Sequence, residues 1–160
     1  MAAVDYFLKL DGITGESKDT NFKDQIPLLS FSHGGEQTSS IGTGTGGHGA
    51  GKVSLHPVTI TAHFDKSTVP VFKNMCNGTH IATGTLSAVK AGANRKPYYK
   101  VELKTMFVTS WMVSAVDEHP IVSITFAYDQ IKHEYYTQDD KGTVALANSY
   151  SYSTSTNSGA

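Results

Sequence analysis

The sequence predicts a mainly β protein: an antiparallel β-barrel of two packed sheets, with one short α-helix at its side and a long glycine-rich loop. Apolar and polar residues alternate over most of the chain, which is the periodicity of half-buried strands. Glycine is abundant, with 15 residues, and marks frequent turns. Only one stretch has helical spacing. A barrel is favoured because closure removes the edges that long strands would otherwise expose.

The length of 160 residues fits one domain, which we place at residues 1–152, with a frayed polar tail at 153–160. Thirteen basic and fourteen acidic side chains give a net charge of -1, which argues against a basic nucleic-acid binder. Charged residues make up only 17% of the chain. A surface with few charges costs little to desolvate, so it could be covered by other subunits.

The first strand is predicted near Val4–Leu10, where even-numbered residues are apolar and Phe7 is the exception. Residues 12–20 hold turn formers and indicate a loop. A second strand is predicted for residues 25–33. Pro27 cannot donate a ladder hydrogen bond, so this strand should lie at an edge or bulge.

Residues 34–52 form a long glycine-rich tract without an apolar face. We expect a flexible loop, or two weak strands joined by a mobile tip, and loops of this length are commonly functional. The tract has too few apolar residues to serve its own barrel. Its glycines are Gly34, Gly35, Gly42, Gly44, Gly46, Gly47, Gly49 and Gly51.

A strand at residues 53–64 leads into the helix, which is predicted for Thr68–Asn77. Ser67 or Thr68 can cap it, and Gly78 stands where a helix needs a left-handed stop. Its apolar stripe would be Phe72, Met75 and Cys76.

Four further strands follow, with a turn at 139–142. They are predicted at residues 81–90, 98–114, 121–136 and 143–152. In the second of them one face should carry Tyr99, Val101, Leu103, Phe107, Trp111 and Val113, and in the third Val122, Ile124, Phe126 and Tyr128 should lie together.

The chain has one cysteine, Cys76, so no intrachain disulfide forms, and we interpret it as a small buried hydrophobe. No secretory signal or membrane-spanning run is visible. We therefore expect a cytoplasmic protein, or one that leaves the cell without a signal peptide.

Phosphate binding is the sharpest chemical alternative. Residues 46–52 fit the first seven positions of a P-loop, but the eighth is Val53 instead of the Ser or Thr that holds magnesium. Lys52 also leads into a strand where a helix is required. A nucleotide-hydrolysing enzyme is therefore disfavoured, and Lys52→Ala should leave any activity unchanged.

The sequence predicts no catalytic, metal or cofactor site. Seven histidines are scattered without the spacing of a metal-binding helix, and no Cys-x-x-Cys or Gly-x-Ser-x-Gly motif occurs. A basic cluster with interleaved tyrosines resembles a nucleic-acid groove, but Glu102 interrupts it; its members are Lys90, Arg95, Lys96, Lys100 and Lys104.

A second hypothesis is a non-catalytic β-sandwich that binds sugars or peptides. Its candidate aromatic residues are Tyr98, Tyr99, Trp111, Tyr150 and Tyr152. Trp111 lies on the predicted apolar face, which favours a core role for that residue.

Several segments, in order, resemble the Hcp (hemolysin co-regulated protein) family of the bacterial type VI secretion system. They are residues 5–17 (DYFLKLDGITGES), 51–54 (GKVS), 65–67 (DKS), 96–101 (KPYYKV) and 124–131 (ITFAYDQI) followed by Glu134 and Tyr135. The resemblance covers about residues 4–141. The stretch 142–160 does not match, and because it is short we expect no fused effector domain, so the chain should be only the tube unit.

The resemblance implies a structural subunit of the secretion tube, not an enzyme. Homo-hexameric rings would stack into a tube that carries small effectors in its lumen, topped by a VgrG-type spike and driven by a contractile sheath. The protein would be made in the bacterial cytoplasm and secreted without a signal peptide. Ring-to-ring contacts would come from the loop, through Gly42, Thr43, Gly44, Thr45, Gly46, Gly47, His48 and Gly49.

Overall fold

Strands dominate the chain, as the alternating pattern predicts. The computed structural model describes residues 4–42, 51–92, 95–115 and 117–160. Their strands are β1 (Val4–Leu10), β2 (Ile26–Leu28), β3 (Ser30–Ser32), β4 (Gly35–Glu36), β5 (Ser54–Leu55), β6 (Val58–His63), β7 (Ile81–Lys90), β8 (Pro97–Ser114), β9 (Ile121–Gln138), β10 (Val144–Ser153) and β11 (Ser158–Gly159). One helix, α1 (Thr68–Asn77), lies between β6 and β7 in the described chain.

Nine of these strands form one large antiparallel sheet. Its main order is β11-β10-β9-β8-β7-β1-β2, while β6 pairs with the first half of β9 and with β3. Strands β4 and β5 pair separately. The prediction of a mainly β fold with one short helix is confirmed. The expected barrel of two packed sheets is not confirmed. The described strands pair as one large sheet, and its hydrogen-bonded ladder does not close into a barrel.

Two predicted strands are each broken in the middle. The segment expected at 25–33 pairs with β1 through β2 and with β6 through β3, and between them the Leu29 N–H donates to the Thr61 carbonyl at 2.8 Å. The strand expected at 53–64 divides into β5 and β6 around Pro57, which has no amide proton to give to a ladder. Because of the first break, the short segment 26–32 pairs with β1 at one end and with β6 at the other.

The long strands β8 and β9 hold the sheet together, and both change their buried face halfway along. Val101 and Leu103 are buried as predicted, but Thr105 has φ 55° and the buried residues beyond it are Met106 and Val108. The predicted continuation through Phe107 and Val113 is therefore wrong. A residue in the left-handed region turns the strand, so simple alternation does not continue past it.

The core lies on one face of the sheet, and a small second cluster lies on the other. Phe7, the exception in the β1 pattern, stacks on Phe22 at a centroid distance of 4.7 Å and contacts Val89. The main core contains Leu8, Leu10, Ile26, Val58, Ile60, Ala62, Val71, Ile81, Leu86, Val101, Leu103, Met106, Val108, Val122, Ile124, Phe126 and Ile131. Phe7 is thus buried by the loop at residues 12–25, which folds back over β1.

Helix α1 has the predicted bounds but buries a different face. Gly78 adopts φ 68°, and the following Thr79 N–H closes the end on the Asn74 carbonyl at 3.0 Å. Ser67 makes no side-chain cap bond. The buried residues are Thr68 and Val71, whereas Phe72 and Cys76 are exposed. Cys76 is therefore not the buried hydrophobe that the sequence suggested.

The tail at 153–160, for which fraying is predicted, contains a short paired strand. Strand β11 pairs with the end of β10, and Ser151 and Ala160 exchange backbone hydrogen bonds at 3.0 and 2.9 Å. Asp129 holds the intervening turn, since its Oδ1 accepts from the Thr154 hydroxyl at 3.0 Å and the Ser155 N–H at 2.9 Å. Hydrogen bonds from Ser155 lower the pKa of Asp129 below its usual range.

Candidate functional site

The predicted stacking residues fall mostly outside the described chain. Gly42 lies in a turn with φ 88°, where its missing Cβ matters, but residues 43–50 are outside the described residues. This range includes Thr43, Gly44, Thr45, Gly46, Gly47, His48 and Gly49. The assignment of ring-to-ring contacts to them stays a prediction.

The loop at 34–52 is anchored by a two-stranded stem. Strand β4 pairs with β5, Gly35 opposite Leu55, and the Gly51 N–H donates to the Thr38 carbonyl at 3.4 Å. A Cβ on Gly35 would lie 2.9 Å from Leu55 Cδ2, and one on Gly51 would collide with the Thr38 hydroxyl. At both glycines the two sides of the stem approach closely, so a side chain there would displace its neighbour.

Three polar rings meet where the loop leaves the sheet. The Tyr99 hydroxyl lies 3.0 Å from His33 Nε2 and 2.8 Å from His133 Nδ1, and the two imidazole centroids are 5.0 Å apart. All three side chains are half-buried. Burial lowers the pKa of both histidines, with the charge of His133 adding to the effect on His33, and burial raises the pKa of Tyr99.

A groove of about 490 Å³ runs between the loop stem and the end of the sheet. The stem side is formed by Gln37, Gly51, Lys52, Val53 and Leu55, and the sheet side by Ile131, His133, Tyr150, Tyr152 and Asn157. Lys52 therefore faces tyrosines and a histidine. It precedes a short strand, as predicted, instead of the helix that a phosphate loop needs.

Strand β10 presents an open edge with few protective features. Residues 145–150 are all exposed, and on the outer side of β10 the described pairing with the tail reaches only residues 151–153. Leu146 is 53% exposed and Tyr150 55%. The strand contains neither a charged residue nor a proline, the devices that usually keep edges from pairing with other chains.

The opposite side of the sheet from the main core carries two contrasting regions. Over β3, β6 and the start of β9 it is rich in hydroxyls and free of charge: Ser30, Ser32, Thr59, Thr61, Ser123 and Thr125. We call these six residues the hydroxyl face. Further along β9, Glu134 is 7% exposed, accepts a hydrogen bond from Tyr136 and pairs with Lys132 at 3.4 Å.

The aromatic residues of the binding-module hypothesis have separate roles. Trp111 donates its indole N–H to the Thr68 carbonyl at 3.1 Å and packs on Phe72, fixing α1 to the sheet. Tyr98 lies under the Lys90 ammonium group at 5.1 Å and lines another cavity. Among the five, only Tyr150 and Tyr152 line the groove at the loop stem, so no shared platform of all five aromatics forms.

Within the described part of the chain, no three His, Cys, Asp or Glu side chains group as a metal site. Two histidine pairs do approach each other: His33 with His133, and His63 with His119 at a centroid distance of 5.7 Å. Across the same described ranges, no helix has the length and apolar character that a bilayer crossing needs.

Comparison with known proteins identifies the family. The family model described as "Type VI secretion system effector, Hcp" matches residues 7–135. The chain belongs to the Hcp family. Protein hcp1 of Pseudomonas aeruginosa is 33% identical to it over 143 residues, covering 88% of each chain.

Solved structures of type VI secretion proteins have the same fold. "Structure of a type six secretion system protein" superposes with a TM-score of 0.92 at 25% identity, covering 99% of this chain and 100% of that one. Hcp1 from Salmonella typhimurium matches with a TM-score of 0.80 at 26% identity and the same coverage. The chain is thus a type VI secretion tube protein of a structural, non-enzymatic family, as the sequence resemblance predicted.

The residues of this candidate site that sequence reasoning missed come from distant segments. His33 and His133 lie 100 positions apart, and only strand register brings them onto one hydroxyl group. The open edge of β10 had a sequence signal: ten residues from Val144 to Ser153 without one charge.

Proposed function

We propose that this Hcp protein forms homo-hexameric rings that stack into the inner tube of a type VI secretion system. In this assembly the lumen carries small effectors, a VgrG-type spike caps the tube, and a contractile sheath drives it outward. The protein would be made in the bacterial cytoplasm and exported without a signal peptide. Family membership supports a tube protein, and the open edge of β10 supports self-assembly.

The edge of β10 is the observation that carries the proposal. An unguarded strand edge offers unpaired N–H and C=O groups, and pairing them with a neighbour gains hydrogen bonds without desolvating charge. Leu146 and Tyr150 add apolar area that stays largely open to solvent in the single chain. The edge therefore suits one side of a contact between subunits.

A ring needs a second, different surface on each subunit. Heterologous contacts pair two different surfaces, and they form a ring when the rotation between neighbouring subunits closes after a whole number of copies. The β10 edge of one copy must therefore bind a different surface of the next copy. A stable contact buries about 800 Å² on each partner. The β10 edge supplies part of this area, and the rest must come from neighbouring side chains.

The sheet itself would curl into the barrel expected for the family. Residues 26–32 pair with β1 at one end and with β6 at the other, and β6 pairs with β9. A sheet whose two sides are joined by one bent segment is close to closing on itself. We place the hydroxyl face toward the lumen, where uncharged Ser and Thr side chains allow varied cargo to bind weakly and leave.

Loop 34–52 would reach from one ring to the next. Its stem pairs separately from the large sheet, and its glycine-rich sequence has too few apolar side chains to pack against its own core. Deleting residues 39–49 should leave rings intact but weaken stacking, because the β10 edge is untouched. A matched control keeps the loop unchanged and carries Val69→Ser on the exposed side of α1.

Electron microscopy at equal concentration tests this loop assignment. We expect single rings from the deletion variant and tubes from the control. Tubes of unchanged length from the deletion variant would show that the loop does not join rings.

A further inference from the structure

The His33, Tyr99 and His133 side chains form a hydrogen-bonded bridge, which we call the His–Tyr–His bridge. Tyr99 lies on β8 and His133 on β9, whereas His33 lies between β3 and the loop stem. The next residue, Gly34, accepts the His56 N–H at 2.8 Å through its carbonyl. The bridge therefore connects the first residues of the loop to the two longest strands of the sheet.

The hydrogen bonds of this bridge require at least one neutral histidine. A tyrosine hydroxyl has one proton to donate, so it can donate to one ring nitrogen while it accepts from the other. If both imidazoles were protonated, both rings would present N–H groups to one oxygen, and the hydroxyl proton would lose its imidazole acceptor. Two positive rings would then lie 5.0 Å apart in a half-buried site.

The charged groups around the bridge offer little compensation. From the stem, Lys52 lines the same groove as His133, and its charge has the same sign as a protonated imidazole. His56 and Glu36 contact each other at 3.9 Å on the exposed stem. On the sheet, Tyr150 of β10 lies opposite His133. Lys100 and Glu134 lie opposite each other, and because each follows a bridge residue directly in its strand, both point to the other face of the sheet. Among the described residues, neither bridge histidine forms an ion pair with a carboxylate.

We infer that the His–Tyr–His bridge is an acid-sensitive latch that holds the root of loop 34–52 against the sheet and releases it when both histidines take up protons. This goes beyond the proposed role of the loop in stacking and does not depend on it. If the loop does join rings, acid would loosen the tube at the same place.

The direction of the pH effect follows from linkage. Burial lowers the pKa of both histidines in the closed form from the ordinary 6.5, so the open form binds protons more readily. The closed form is favoured in full above about pH 6.5 and loses that advantage as the pH falls through the lowered values. Because opening takes up two protons, the equilibrium constant for opening should rise by up to about a hundredfold for each pH unit that the pH falls.

Hydrogen exchange of the single chain tests the latch without any assembly. Peptides covering residues 34–38 and 51–56 should open increasingly below about pH 6.5, after correction for the intrinsic rate. His133→Gln keeps a polar side chain but cannot charge, so the slope should fall to at most about tenfold per unit. His33→Gln should behave in the same way and serves as a second variant if the first folds poorly.

The control is His119→Gln, in the exposed histidine pair with His63, which should leave the slope unchanged. A flat profile in the unmodified protein would overturn the inference. So would an unchanged slope in both bridge variants, or a slope reduced by the His119 change alone. None of these results depends on whether rings form.

Discussion

Tyr150→Ser tests the contact surface that the proposed ring needs. The side chain lies on the open edge of β10 and is 55% exposed in the single chain. A tyrosine that becomes buried removes about 200 Å² from water, so the exposed part amounts to about 110 Å². At about 25 cal/mol per Å², covering it contributes about 3 kcal/mol to each contact between subunits.

A loss of this size lowers each contact's association constant by about a hundredfold. Size-exclusion chromatography with light scattering, over a dilution series, should show the variant leaving the six-subunit mass at far higher concentration than the unmodified protein. Thermal unfolding of the isolated subunit should change less than the subunit contact does, because only the smaller part of the Tyr150 side chain is covered there. Serine preserves a polar strand residue and the β9 pairing.

Val69→Ser is the matched control, since Val69 is 59% exposed on the outer side of α1, away from β10. It should leave the dilution profile unchanged. If Tyr150→Ser rings survive dilution as well as unmodified rings do, the β10 edge is not the contact surface and the reasoning from its exposure is wrong.

Two further changes test the packing and electrostatics of the sheet. Gly84→Ala places a Cβ 2.5 Å from Met106 Sδ and 3.2 Å from Leu10 Cδ2, so it should destabilise the fold by about 1–3 kcal/mol in chemical denaturation. Adding Met106→Val should recover part of this loss, and equal or larger loss in the double variant would contradict the packing. The hydrogen bond to Glu134 raises the pKa of Tyr136 to about 12, so the phenolate absorbance should include a step near pH 12, and Tyr136→Phe should remove that step. The same hydrogen bond lowers the pKa of Glu134. The stability gained from this bond is therefore full above about pH 4.5 and is lost as the pH falls through the lowered value. An acid-unfolding midpoint that Tyr136→Phe leaves unchanged would argue against this.

Local patterns in the sequence were sufficient for most elements. Helix α1 was predicted at its observed bounds because Gly78 and the preceding capping region mark both ends within a few residues. The features that sequence reasoning missed depend on pairing with distant segments. The bend at Leu29 is fixed by Thr61, and the face change at Thr105 is a left-handed residue with no glycine or proline to announce it. The tail pairs because Asp129 accepts its hydrogen bonds.

The candidate site was predictable only in outline. Glycine content identified the loop, and the resemblance of ordered segments identified the family, but neither could locate the His–Tyr–His bridge. Its histidines come together through the register of β8 with β9 and the position of β3. The aromatic residues of the binding-module hypothesis predicted a shared surface that the structure does not form. Trp111 holds the helix, whereas Tyr150 lies on the open edge of β10.

Negative-stain electron microscopy of the purified, unmodified protein tests the central claim most directly. If the chain acts as a self-assembling tube subunit, images at micromolar concentration and above should show rings with six-fold symmetry and an open centre, some of them stacked end to end. Particles the size of a single subunit at every concentration, with no rings, would contradict the account.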